Sequence, residues 1–419
     1  MSKQRAIVVI GAGIVGAVTA WRLLREGHAV TLIDPHPPGS GASSGNAGCL
    51  SPSSILPLAG PGVIRKLPGW LMDRDGPLAI RWRRIPHMIP WLAHFVRASS
   101  PGSVIAQAKA LATLLSPVVP HYLAWSREIG VPDLIRADGS LVIYRSEADW
   151  VGDCLSRRLR REAGIHFNEV DARAMRELDP ALGAAALRGL HFPGNGHSVD
   201  PRRLVEAFAK AFQSEGGKLR RANALGFAFR SDRLFAVETD DGSEPTDIAI
   251  LTAGAYSTSL AKAAGLTVPL ESERGYHVTI PALQGGPRLP TVDASAKIVA
   301  TPMAMGLRIT GIVEFAGLQA PPDWRRARAI AERARQLYPT LPGQETMTTD
   351  QFWMGHRPSL PDSLPAIGRS SRCREILVAF GHGHLGLTAA PRTADLVAEL
   401  VAERPPSIDL TPFDPCRFG

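Results

Sequence analysis

Cysteine is scarce in this 419-residue chain: four residues, Cys49, Cys154, Cys373 and Cys416, with no C-x-x-C pair. That excludes a disulfide framework and fits a reducing compartment. Long apolar runs are also missing. The uncharged stretch 6–21 follows a basic start at Lys3 and Arg5, as in a signal peptide. It is short for a bilayer span, however, and Gly11, Gly13 and Gly16 interrupt it. No other stretch reaches about 18 apolar residues, so no transmembrane helix is expected. With 45% apolar and 21% charged residues, the composition excludes disorder, collagen-like repeats and coiled coil. No recognition helix, zinc-finger spacing or aromatic RNA motif is present, so no nucleic-acid partner is expected.

What is present is a modest basic excess. Lys+Arg number 47 and Asp+Glu 39, giving a net charge of +8. Outside 81–84, 157–161 and 325–328 the basic residues are scattered. Such a balance suits an anionic substrate, an anionic cofactor or an anionic membrane surface. The length suits two or three domains, or one core with an inserted second layer.

The order of elements opens with a βαβ unit. AIVVI (6–10) reads as a buried parallel strand, 14–26 has apolar residues at helical spacing and stops at Gly27, and 29–33 is a second strand followed by Asp34. Residues 35–62 are rich in Gly, Ser and Pro and read as a long irregular, functional segment. Helices are expected over 105–129, 151–163, 199–216 (entered through Asp200-Pro201, a cap and a first-turn proline), 323–338 and 387–402. A hairpin is expected over 218–240. Strands are expected at 247–252, 276–280, 297–301, 307–311 and 375–379. Residues 78–98, basic and aromatic, read either as a helix with one buried face or as an interfacial membrane anchor.

Gly11, Gly13 and Gly16 form G-x-G-x-x-G in complete context: after a strand, opening a helix, with Asp34 eighteen residues beyond Gly16. Gly11 permits the tight turn, Gly13 lets a diphosphate reach the backbone, and Gly16 lets the helix pack close. The helix N-terminus, with Ile14 and Val15, offers N–H groups and partial positive charge to the diphosphate, and Asp34 accepts from ribose hydroxyls. The fingerprint alone does not separate NAD from FAD. FAD is favoured because the second βαβ-like strand, before Ala253 and Gly254, lies far downstream and a third glycine-rich segment is near the C-terminus.

Five segments in this order, IVVIGAGIVGAVTAWRLLREGHAVTLID (7–34), GASSGNAG (41–48), ILTAGAYS (250–257), GHRPSLPDSLPAIG (355–368) and GHGHLGLTAAP (381–391), resemble the D-amino acid oxidase-like FAD oxidoreductases, most closely the D-amino acid dehydrogenase branch. The resemblance implies an α/β fold: a Rossmann-like FAD-binding domain (1–55, 195–266 and 345–419) with a discontinuous antiparallel-sheet substrate domain (56–194 and 267–344). FAD would be bound non-covalently. Pro35, His36, Ser43, Ser44, Asn46, Ala47, Gly48, Leu225, Ala253 and Gly254 are its expected contacts. The turn Gly383, His384, Leu385 and Gly386, with Leu387 and Thr388 opening the last helix, would approach the flavin.

Arg357 would hold a substrate carboxylate bidentately. Tyr276 or His277 would meet the amine or side chain, or pack in the sheet, and His384 would contact substrate or pack. No acid–base residue is assigned and no metal is expected. The implied reaction is oxidative deamination of a D-amino acid or cyclic imino acid, hydride passing from Cα to flavin N5 to give an imine and then a 2-oxo acid. The alternatives are a glycine, sarcosine or D-hydroxyproline oxidase or dehydrogenase, or a flavin-binding subunit of a larger complex. The electron acceptor would be a quinone, or oxygen in an oxidase. The expected location is cytoplasmic, with peripheral contact to the inner face of the membrane through 78–98 as the open variant.

Overall fold

A computed structural model describes residues 4–60, 63, 69, 76, 78–281 and 286–419. Lys3 and residues 61–62 of the irregular segment lie outside the described residues. The chain builds two main sheets.

Among the described residues the first sheet has six strands, in the order Lys218–Arg220, Ala29–Ile33, Ala6–Ile10, Ile248–Leu251, Ile376–Phe380 and Ala366–Arg369. All pairings are parallel except the last. Its central strands are apolar because helices cover them. Helices Ile14–Arg25, Pro201–Ser214 and Gly386–Val401 pack on one face, and the second face closes over Phe227, Leu260 and Phe380. Asp200 caps the second of these helices as expected, its Oδ1 accepting from Arg203 N at 3.1 Å. Strand Lys218–Arg220 departs from the expected hairpin over 218–240. It leaves to pair with Ala29–Ile33, and the hairpin is Ala224–Arg230 with Arg233–Thr239, extended by Gly242–Pro245.

Among the described residues the second sheet has nine strands. Phe352–Ser359, Glu271–Ile280, Gly306–Phe315, Ile298–Met303 and Thr291–Asp293 run antiparallel in that order, and Ser140–Tyr144, Arg188–Phe192 and Asn168–Asp171 continue it. It is mixed rather than purely antiparallel: Thr291–Asp293 meets Ser140–Tyr144 in parallel, and Leu78–Ile80 adds in parallel beside Gly306–Phe315. Segment 345–419 therefore contributes to both sheets, through Phe352–Ser359 in one and Ala366–Phe380 in the other. Helix Arg325–Arg335 covers the face that carries Tyr276, Val278 and Ile309.

Two expected helices are each split. Residues 105–129 fold as Pro101–Leu115 and Val118–Glu128, because Pro117 supplies no N–H to continue the ladder. By length and mean hydropathy Pro101–Glu128 suffices to cross a membrane, and half of the window is buried inside the protein. Residues 151–163 belong to Glu147–Gly152 and Cys154–Glu162, with Asp153 ending the first. Within 78–98, helix Ile85–Ala98 buries Met88, Trp91 and Phe95 against Phe315 and leaves Ile89 and Val96 exposed.

Trp21 ties the first helix to its neighbours. It is fully buried, edge-on to Trp125 and to Phe208 at 5.4 Å each, and its Nε1 donates to Glu215 Oε1 at 3.1 Å. Trp21→Ala is expected to cost about 3–5 kcal/mol, read as a lower urea midpoint; an unchanged midpoint would contradict this packing.

Candidate active site

The C-terminal ends of the parallel strands open into a cavity of 1650 Å³ that continues under the second sheet. At its nucleotide end Gly11 has φ +105°, and its N–H donates to Ile33 O at 2.8 Å. A side chain at Gly16 would overlap Gly11 O, so Gly16 serves packing and does not border the cavity. Gly13 differs. A Cβ there would meet only Ser43 Oγ, at 3.5 Å, so the space beside it is left for a ligand. Asp34 Oδ2 accepts from Ala12 N at 2.7 Å and Oδ1 from His36 N at 2.8 Å. Each oxygen keeps a lone pair for a further donor. Ile14, Val15, Pro35, His36, Leu225, Ala253 and Gly254 all border the same end.

The loop 43–48 forms the next wall. Ser43 Oγ accepts from Ile14 N at 3.0 Å, and Asn46 Oδ1 accepts from Gly48 N at 2.7 Å. Ser43, Asn46 and Ala47 border the cavity; Ser44 and Gly48 do not. Ser44 Oγ donates to Gly41 O at 2.9 Å, and Gly48 O accepts from Ser198 N at 2.7 Å. Both therefore shape the loop from behind. Arg308, unsuspected from the sequence, holds it in place: the buried guanidinium donates through Nη1 to Ser44 O at 3.0 Å and Asn46 O at 2.8 Å. Burial lowers its pKa to about 10.

The far wall is the turn 381–386 and the helix Gly386–Val401, whose start has no side-chain cap. Its first amides therefore face the cavity unsatisfied, with the positive end of the helix dipole. Gly383, His384, Leu385, Gly386, Leu387 and Thr388 border the space. His382 is buried, bonded to Thr393 Oγ1 at 3.0 Å, and desolvation lowers its pKa to about 3. His384 opens onto the cavity deep in the molecule; desolvation lowers its pKa, opposed by Glu273 and reinforced by Arg357.

Two neighbouring strands supply the roof, and strand alternation sorts their side chains. Glu273, Gly275 and His277 share one face with Trp353, Gly355 and Arg357. Glu273 stands directly across from Arg357, and Arg357 Nη1 donates to Glu273 Oε1 at 3.1 Å. The guanidinium lies over Gly275, where any Cβ would collide with it.

Tyr276 and His277 take the sheet-packing alternative, and Tyr276 also borders the cavity. Tyr276 is on the opposite face, and its hydroxyl donates to Glu314 Oε2 at 2.6 Å and accepts from Asp323 N at 3.1 Å. His277 is buried behind Trp353, stacked on it at 5.0 Å, with Nδ1 3.1 Å from Gly45 O. Desolvation, reinforced by Arg308, lowers its pKa to about 3. Trp353, also missed in the sequence, borders the cavity over Gly45 and Gly355, where no side chain would fit.

The arrangement leaves room for a long ligand between two helix starts whose N-cap residues make no side-chain bond, with the Arg357 guanidinium at one end. A family model described as FAD dependent oxidoreductase (DAO) matches residues 6–400. A D-amino-acid oxidase of Bradyrhizobium diazoefficiens is 41% identical, the alignment covering 100% of both chains. A D-amino acid dehydrogenase of Dechloromonas aromatica is 30% identical over 98% of this chain and 100% of its own. The L-proline dehydrogenase of P. horikoshii superposes with a TM-score of 0.75 at 21% identity, over 100% of this chain and 98% of its own. Glycine oxidase of Geobacillus kaustophilus gives 0.72 at 21%, over 99% of each. These two structures share the fold.

Two outcomes follow. Arg308→Met is expected to raise the dissociation constant of FAD at least tenfold, because loop 43–48 loses its brace; titration of the apoprotein by flavin fluorescence checks this. Separately, His197 (pKa about 4), His277 and His382 (about 3 each) are held neutral by burial. Their unfolded-state pKa is near 6.5. The unfolded chain therefore takes up protons first, and stability falls as pH drops from about 6.5 toward 3, by up to about 1.4 kcal/mol per pH unit for each histidine. Urea midpoints at pH 7 and 5 measure the slope, and His277→Gln should flatten it.

Proposed function

The chain belongs to the DAO family of FAD-dependent oxidoreductases, and from that premise we propose that it oxidises D-amino acids at Cα to 2-oxo acids and ammonia. The family establishes an FAD-dependent enzyme of amino acid oxidation. The D configuration rests on the names of both curated relatives. The observation that carries the reading is Arg357, whose guanidinium borders the cavity with one donor on Glu273 and no other partner among the described residues.

The residues fit the cofactor. The open space beside Gly13, the remaining lone pairs of Asp34 and the amides of the two helix starts are what an adenine dinucleotide requires. Asp34 would hold the ribose, the Gly11–Gly13 turn and the start of Ile14–Arg25 the diphosphate, and Gly386–Val401 the anionic edge of the flavin. Bound FAD supplies the two-electron acceptor for the hydride that leaves Cα.

The chain's own residues orient and shield. Arg357 binds the carboxylate and fixes the position of Cα. The positive end of Gly386–Val401 favours the negative charge that develops during reduction. Trp353 and the buried ring of His277 close one wall against water. Once the ammonium has lost a proton to solvent, the nitrogen's lone pair forms the C=N bond as hydride departs, and water then adds to the imine and releases ammonia. No side chain has to take a proton from Cα.

Purified protein should carry a flavin absorbance band that bleaches anaerobically with at least one member of a D-amino acid panel. Oxygen consumption on the same substrate separates oxygen from a quinone as acceptor. Arg357→Ala should retain FAD and raise KM by about two orders of magnitude; an unchanged KM would remove Arg357 from the substrate site.

A further inference from the structure

Glu273 has no task in the proposed reaction. It is 1% exposed, borders the cavity, and shares only Oε1, with Arg357; its Oε2 is buried without a hydrogen-bond partner among the described residues. A buried carboxylate half satisfied in this way is costly. It also works against the obvious purpose of Arg357. An anion receptor is weakened by a carboxylate 3.1 Å from its guanidinium, which neutralises the cation and repels any second carboxylate brought to it.

The cost makes sense if the ligand carries both charges. A carboxylate on the free donors of Arg357 places its own α-ammonium within a few ångströms, opposite the charge of Glu273. The zwitterion then meets a charge pattern complementary to itself. The product does not: once the nitrogen has left as ammonia, the 2-oxo acid offers only a negative charge. We propose that Glu273 is a specificity-determining residue that makes the Arg357 site accept zwitterionic amino acids and reject desamino carboxylates, the enzyme's own 2-oxo acid product among them. This rests on the proposed amino acid oxidation. It adds a second function to the site, discrimination of substrate from product by repulsion as well as attraction.

The test uses FAD-loaded enzyme and equilibrium titration followed by the flavin absorbance change, beside steady-state KM. In the wild type, 2-aminoisobutyrate, which has no Cα–H to lose, should bind at least about tenfold tighter than isobutyrate. In Glu273→Gln the 2-oxo acid should bind at least about tenfold tighter than in the wild type, while KM for the D-amino acid rises. Glu273→Asp should keep the wild-type order of preference. A purely structural role would weaken both ligands together, and that result overturns the proposal. So does equal binding of 2-aminoisobutyrate and isobutyrate to the wild type, a measurement that stands even if Glu273→Gln does not fold. If no amino acid bleaches the wild-type flavin, the reaction itself is misassigned and this inference falls with it. If bleaching occurs and preference does not respond to Glu273, only the inference falls.

Discussion

The nucleotide end depends on one close approach: the first turn of helix Ile14–Arg25 against the backbone of Gly11. A single carbon at position 16 would occupy the space of Gly11 O. Thr252, from a strand more than two hundred residues away, closes the same knot, its Oγ1 donating to Ile10 O at 2.8 Å and to Gly11 O at 3.0 Å. Gly11 N and Ala12 N are taken by Ile33 O and Asp34. Three strand ends are thereby fixed to one turn, and the helix amides beyond it are aimed before any ligand arrives. Preorganised donors of this kind spend no binding energy on ordering themselves.

The second sheet solves a different problem, that of placing a large aromatic wall and a charged receptor beside a thin loop. Gly45 and Gly355 leave a slot for the Trp353 indole, and His277 fills the space behind it. Arg308 then uses two carbonyls of loop 43–48 as its partners. Burying a cation has a solvation cost, which the fixed carbonyl dipoles offset. A loop that composition alone reads as flexible is in this way held as a wall.

The parts legible in the sequence are those whose cause is local. A strand, a glycine turn and a helix follow one another within thirty residues, and the acid after Ala29–Ile33 is fixed by its place in the chain. Asp200-Pro201 announces a helix start by side-chain chemistry alone. Glu273, Arg308 and Trp353 were not legible as site residues, because their roles arise from strand pairings that periodicity does not specify. Alternation predicts that Tyr276 and His277 face opposite ways, yet not which face meets the cavity. The bulge at Gly275 and Tyr276 adds a register shift invisible in composition. Strand Lys218–Arg220 was misplaced for the same reason: three residues long, it shows no period of its own, and its partner is Ala29–Ile33, far back in the chain.

The same strand pairing couples the receptor to the far wall. Pro358 O accepts from Gly383 N at 2.8 Å, and Ser359 bridges His382. Arg357 is therefore one residue from the bond that anchors the turn opening onto helix Gly386–Val401. A shift of Phe352–Ser359 would move the guanidinium and the helix start together. The distance between the Arg357 guanidinium and the positive end of that helix is thus set by backbone hydrogen bonds, not by two independent side chains. The guanidinium lies over Gly275, the one residue type that leaves it that place. In the proposed reaction, substrate orientation is consequently a property of the sheet, and substitutions that disturb its register would reach the chemistry without touching the cavity.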